Sequence, residues 1–221
     1  MRPLTDDRPK ALVKVGGKTL IDHMLDRLKS AGARRFVVNV HYFAEKLEAH
    51  LATRRDLDII ISDERVALLE TGGGLKKARH LLGDDPIWVV NTDSVWLEDP
   101  GVDALSGLIN LWNAQTMDAA LLLAPMERSL GFDGAGDFFI DAAGRLTFRG
   151  EASSAPYAYM GVHITRPQII DGITEEAFSL SKVWRQLAPL GRLAGHVMAG
   201  DWMHVGDPQA RDEAEARLTS S

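Results

Sequence analysis

Lys10 closes the stretch Arg2-Pro3-Leu4-Thr5-Asp6-Asp7-Arg8-Pro9-Lys10. Its two prolines hold the backbone extended, because each ring fixes its own φ and disfavours helix in the residue before it. A short apolar run, 11–15, comes next, then a Gly16-Gly17 turn and a helix starting near Thr19. A cation on an extended loop just ahead of a buried segment aims an ammonium at a phosphate; an irregular surface loop with ordinary charges is the bland alternative. Asp93 is the second residue of this kind. It lies in Val89-Val90-Asn91-Thr92-Asp93-Ser94, where an apolar strand delivers a carboxylate to the rim of a sheet. Hard Mg²⁺ takes oxygen ligands, typically one or two protein carboxylates, with phosphates and water supplying the rest. A strand-ending Asp also serves as a helix cap or turn former. Residues 64–74, Glu-Arg-Val-Ala-Leu-Leu-Glu-Thr-Gly-Gly-Gly, lead into a helix at Leu75. Three successive glycines clear side chains from about 10 Å of backbone. A planar base fits against such peptide groups, although a flexible turn before a helix has the same composition.

These residues need a scaffold, and the hydrophobic pattern supplies one. Leu20, Ile21, Met24, Leu25 and Leu28 share a helical face that Gly32 ends. Strands are expected at 35–40, 57–61 and 87–90, with helices at 44–52, 75–82 and 102–114 between and after them. Single helices between strands imply right-handed crossovers and a mainly parallel sheet covered on both faces. From Ala119 the pattern turns strand-rich: 119–124, 137–140, 146–148, 157–164 and 193–198, with a turn at 141–144. A charged, Ala-rich helix should close the chain from Pro208 to Leu218. The expected class is therefore α/β, a Rossmann-like, mainly parallel sheet with a smaller mixed or antiparallel β part. Such sheets bind ligands outside the carboxyl ends of their strands, where strand order reverses.

Arg2-Pro3-Leu4-Thr5, Arg8-Pro9-Lys10 and Val15-Gly16-Gly17-Lys18-Thr19-Leu20-Ile21 together resemble the signature of the sugar-1-phosphate nucleotidyltransferases. Those enzymes make nucleotide sugars and release pyrophosphate. The likeness runs through most of the chain, as a single domain whose residues 1–118 mainly bind nucleotide and 119–221 mainly bind sugar phosphate. It implies that Lys10 and Arg2 meet the phosphates, Asp93 binds Mg²⁺, and Thr71, Gly72 and Gly73 hold the nucleobase through main-chain groups. Asn91 faces the sugar-phosphate acceptor in this reading. Gly136, in Gly136-Asp137-Phe138, brings its backbone against the acceptor sugar or is an ordinary hairpin turn. Gly161 admits the sugar ring, and Glu151 accepts a hydroxyl hydrogen bond. Tyr157, Tyr159 and His163 are read as core or rim residues without a catalytic role.

Two departures from the family pattern stand out. Its first strand and Gly-rich phosphate loop would lie upstream of Met1, so the sheet should show two unfilled strand edges. In Asp201-Trp-Met-His204-Val-Gly-Asp207-Pro, His204 stands where the family has its second metal-binding Asp. Three arrangements stay open: His204 meets the metal through water, Asp207 substitutes, or Asp93 and phosphates suffice. Mg²⁺ prefers oxygen to imidazole, whereas Mn²⁺ tolerates nitrogen. The details at 70–74 and 136–138 resemble the members that join UTP to N-acetylmuramate 1-phosphate in peptidoglycan recycling. Mannose-1-phosphate guanylyltransferases are the nearest rival, and a nucleotide-sugar-binding protein with weak or no catalysis is the alternative of another class.

Composition narrows the rest. The 221 residues are 45% hydrophobic, enough for one substantial core. A net charge of −6 with both signs interspersed argues against a general nucleic-acid binder. With no cysteine, neither a disulfide framework nor a thiolate metal site is possible. No apolar run approaches the roughly 18 residues of a membrane span, and no signal-peptide core is present, so a cytoplasmic enzyme is expected. Its partners would be a nucleoside triphosphate and a sugar 1-phosphate; the sequence leaves the oligomeric state open.

Overall fold

The computed structural model describes residues 1–220. β1 (Lys14–Val15) and β2 (Lys18–Thr19) form a small hairpin around Gly16 and Gly17. Helix and strand then alternate: α1 (Leu20–Ser30), β3 (Arg35–Val40), α2 (Ala44–Leu51), β4 (Asp58–Asp63), α3 (Glu70–Ala78), β5 (Ile87–Val90), β6 (Ser94–Glu98) and α4 (Ala104–Leu111). The second half holds β7 (Ala119–Pro125), β8 (Ser129–Leu130), β9 (Phe138–Ile140), β10 (Leu146–Phe148), β11 (Tyr157–Thr165), α5 (Leu180–Leu187), β12 (Leu193–Val197), β13 (Gly200–His204) and α6 (Pro208–Thr219).

Local chemistry sets the helix ends. The Thr19 hydroxyl accepts from the Asp22 amide to open α1, and the five expected apolar residues are its buried face. Asp103 opens α4 by accepting from the Ser106 amide, so this helix starts later than the periodicity of 102–114 implied. Asp207 accepts from the Ala210 amide, with Pro208 at the first position of α6, where a missing N–H costs nothing.

β7 is the centre of the molecule. Its alternate side chains feed two cores on opposite faces of the sheet. Ala120, Leu122 and Ala124 join the cluster that contains α1, α2 and α4, whereas Ala119, Leu121 and Leu123 join the one containing α5. The class is α/β, as expected, but the pairing is mixed. The main sheet runs β10-β9-β11-β7-β12, with β5 added to β11. β11 is antiparallel to both β5 and β7, while β12 is parallel to β7. Thus β5 and β7 run the same way with a reversed strand wedged between them. The crossover argument sees strand order along the chain and misses an insertion from farther on.

β3 and β4 form a separate parallel pair. Among the described residues, β3 pairs only with β4 and β5 only with β11. One core nevertheless spans both sheets, from Phe36 and Val40 to Met160 and Val162.

Three elements differ from expectation. α3 begins at Glu70, so the three glycines lie inside the helix and not in a loop ahead of it. Propensity loses to close packing there. A Cβ on Gly72 would stand 2.3 Å from the Phe178 ring, and one on Gly73 would stand 2.2 Å from the Glu176 carbonyl oxygen. The segment 201–204, which had no counterpart among the expected strands, belongs to β13, paired antiparallel with β6. Helix α5 had no counterpart in the expected elements.

Candidate active site

The site forms where two distant loops meet. Pro9 is buried, and Lys10 opens a single 3₁₀ turn, Lys10–Leu12, tied down by the Val13 amide donating to the Lys10 carbonyl at 3.0 Å. This turn carries the Lys10 side chain to Asp93, just past the end of β5. Lys10 Nζ donates to Asp93 Oδ2 at 2.8 Å. The same oxygen lies 3.5 Å from His204 Nε2, at the end of β13. The Val205 amide donates to the Asp93 carbonyl at 2.8 Å and fixes its backbone. His204 is held in turn by Nδ1, 3.2 Å from the Gly131 carbonyl oxygen, and by Phe132 and Trp202 against its ring.

Electrostatics favour the charged forms of Asp93 and His204. Burial opposes ionisation of Asp93, but the His204 ring and the Lys10 ammonium outweigh it and hold the carboxyl at about 2. Contact with the Asp93 carboxylate raises the His204 pKa against burial and the Lys10 charge. An ammonium that already holds an anion beside a cleft is suited to exchanging part of that contact for phosphate oxygens.

Next to this cluster lies a pocket of about 470 Å³ lined by Thr71, Asn91, Gly136, Asp137, Tyr159 and His163 among others. Asn91 is placed by a bulge in β11. The register of β11 on β7 shifts between Tyr159 and His163, and Gly161 sits within that shift at φ +77°. The Asn91 amide donates to the Gly161 carbonyl at 2.7 Å, and a Cβ on Gly161 would stand 3.0 Å from the Asn91 Cβ. Asp137 secures the other side, its Oδ2 accepting from the Tyr159 amide at 2.9 Å. Gly136 adopts φ +80°, and a side chain there would drive into the Ala155 carbonyl.

The donor set fits a hard divalent cation that draws most of its ligands from substrate. Among the described residues, no three His, Asp or Glu side chains converge as an all-protein cage. Asp93 offers one carboxylate at the rim and His204 one imidazole beside it, a set completed by phosphate oxygens and water. Asp207 points its carboxylate at the first turn of α6, where it caps the helix.

The family model of the MobA-like NTP transferase domain matches residues 4–128, more than half of the chain. An N-acetylmuramate alpha-1-phosphate uridylyltransferase from Caulobacter vibrioides is 51% identical over 225 residues, covering 100% of this chain and 93% of that protein. The chain belongs to the sugar-1-phosphate nucleotidyltransferases. Another similar nucleotidyltransferase, the N-acetylmuramate alpha-1-phosphate uridylyltransferase of Neisseria meningitidis, is 32% identical over 98% of this chain and 92% of that one. The solved structure of a UDP-glucose pyrophosphorylase complexed with UDP-glucose covers 100% of this chain and 94% of its own at TM-score 0.79. At 15% identity it speaks for the nucleotidyltransferase fold alone.

Within that family frame, the residues singled out from the sequence separate. Lys10, Asp93 and His204 come together, and Asn91, Gly136 and Thr71 line the adjoining pocket. Gly161 supports Asn91 from beneath. Gly72 and Gly73 are buried, their amides donating to the Phe178 carbonyl at 2.8 and 3.1 Å, while Thr71 Oγ1 accepts from the Leu180 amide. Arg2 is not brought in: its side chain is 84% exposed and pairs with Asp6. Glu151 is exposed beside the pocket-lining Gly150. Sequence reasoning passed over Arg149, Trp184 and Arg185, which line the pocket. The apolar face Leu180, Val183 and Trp184 of α5 was a readable signal for the last two.

Proposed function

We propose that this nucleotidyltransferase transfers the uridylyl group of UTP to N-acetylmuramate 1-phosphate and releases pyrophosphate. The full-length 51% identity to the Caulobacter uridylyltransferase carries this reading. Mannose-1-phosphate guanylyltransferases are more distant, at 26% identity for the one from Arabidopsis thaliana, so guanylyl transfer to mannose is the less supported choice. Among the described residues no helix is long and apolar enough to cross a membrane, and we assign the reaction to the cytoplasm, in recycling of cell-wall sugars.

In this mechanism an oxygen of the sugar 1-phosphate attacks the α-phosphorus of UTP in line, forming one P–O bond as the bond to pyrophosphate breaks. The attacking phosphate is already an anion, so no general base is needed. Charge neutralisation and positioning are the protein's main tasks in phosphoryl transfer. Lys10 places its ammonium where the α-phosphate and the acceptor phosphate approach each other. Asp93 keeps Lys10 oriented in the free enzyme and, with His204, would hold a divalent ion such as Mg²⁺ or Mn²⁺, which would supply Lewis-acid charge to phosphate oxygens. Asn91 and Gly136 orient the sugar, with Thr71 on the nucleotide side.

Pyrophosphate release from UTP and N-acetylmuramate 1-phosphate tests this directly. Lys10→Ala should lower turnover by about 10²- to 10³-fold, as for removal of one transition-state donor, while its circular dichroism stays that of the parent. Near-normal turnover of a folded Lys10→Ala protein would remove Lys10 from the mechanism. Tight UTP binding by the parent without turnover would instead make the chain a nucleotide-binding protein.

A further inference from the structure

The acceptor pocket carries cations that the transfer reaction leaves without a task. Arg149, after β10, and Arg185, on α5, both line it. The Arg185 guanidinium lies 4.4 Å from the centroid of the Phe148 ring, a stacked position that limits its rotamers. Arg149 reaches only the Ser153 carbonyl, at 3.4 Å. Among the described residues, neither has a carboxylate within ion-pair distance, whereas Arg27, Arg54, Arg65, Arg79, Arg128 and Arg192 all do. The single carboxylate in the lining, Asp137, is engaged by the Tyr159 amide. Neutral sugars are held by hydroxyl and amide groups and bring no charge for two unpaired guanidinium groups to meet. The 1-phosphate does not account for them, because Lys10 and Asp93 stand outside the lining and Asn91 links the two regions.

We propose that Arg149 and Arg185 bind a carboxylate that the acceptor sugar carries in addition to its 1-phosphate, so that the enzyme selects acidic sugar 1-phosphates over neutral ones. The proposal rests on the transfer reaction assigned above and adds its specificity device. Guanidinium groups match a carboxylate in geometry and charge, and α5 and the 148–150 turn set the two arginines on separate walls of one cavity. N-acetylmuramate has such a carboxylate on its lactyl ether, and N-acetylglucosamine lacks it.

Arg149→Gln and Arg185→Gln are assayed with UTP and either N-acetylmuramate 1-phosphate or N-acetylglucosamine 1-phosphate. The parent should favour the acidic acceptor, and each variant should reduce the ratio of the two kcat/KM values by about 10- to 100-fold, the range for a hydrogen bond to a charged group. The loss should appear in KM for the acid, with partial recovery in Arg185→Lys. Equal losses on both acceptors would mean that the arginines serve the shared phosphate or the fold, and would overturn the proposal; so would an unaltered ratio. If the parent turns over no acceptor, the assigned reaction fails and calorimetric binding of the two sugar phosphates decides. A parent preference for the acid that vanishes in Arg185→Gln upholds the carboxylate site, and equal binding by the parent refutes it.

Discussion

Exchanging His163 for glutamine should change how the protein's stability depends on pH, by an amount the structure sets. His163 is 1% exposed on β11, between the rings of Tyr159 and Trp184, at centroid distances of 5.9 and 5.1 Å. Tyr159 Oη lies 2.7 Å from its Nδ1, and among the described residues its Nε2 has no hydrogen-bond partner. Burial drives its pKa down from 6.5 to about 3. Above pH 6.5 the ring is neutral in both folded and unfolded chains, so its titration contributes nothing. Below that, the unfolded chain takes up a proton that the folded one refuses, and stability falls with pH until the folded pKa is reached. At about pH 5 the loss is roughly 2 kcal/mol, from 1.36 kcal/mol per pH unit below 6.5. Glutamine cannot titrate, and whatever its altered packing costs is the same at every pH. Urea unfolding at about pH 8 and pH 5 should therefore show a decrease in stability smaller by about 2 kcal/mol in His163→Gln than in the parent. His23 and His196, also held low by burial, act equally in both proteins and cancel. Identical pH dependence in the two would refute a neutral, proton-excluding His163.

Other outcomes follow from the same geometry. Gly161→Ala forces a side chain into φ +77° and against Asn91. It should cost about 1–3 kcal/mol in urea unfolding and raise KM for the acceptor more than for UTP. Asp207→Ala removes a helix cap worth about 1 kcal/mol and should keep turnover near the parent's at saturating metal; a collapse of turnover would make Asp207 a metal ligand. Chelation with EDTA should abolish pyrophosphate release. Mn²⁺ should restore it at lower concentrations than Mg²⁺, because an imidazole stands beside Asp93.

Residues read from local pattern were recovered better than those that depend on distant packing. Lys10 and Asp93 are 83 positions apart; a proline-stiffened loop and the end of an apolar strand drew attention to them, and the family resemblance assigned their roles. The amphipathic face of α1 was equally readable. The glycines at 72–74 were not, because glycine has the same letter in a turn as in a helix pressed against Phe178. The strand that carries His204 was not among the expected elements, because β13 is short and gains its hydrogen bonds from β6, more than a hundred residues earlier. Arg2 matched a sequence pattern, yet its placement depends on groups beyond its own segment. The antiparallel wedge of β11 had no local signature at all.

That wedge bears on how the protein is made. Until Thr165 has left the ribosome, β5 and β7 lack the strand that lies between them and pairs with both in the folded protein. The nascent chain thus displays two strongly apolar strand edges while roughly the first three quarters of the molecule is synthesised, at rates of about 5–20 residues per second. Such edges recruit other chains as readily as their own. The first half of the chain is therefore no autonomous folding unit, despite carrying the Lys10–Asp93 pair. A product truncated before β11 should be a client of chaperones or a source of aggregate, and folding of the complete chain should be slow and late, governed by one long-range strand insertion.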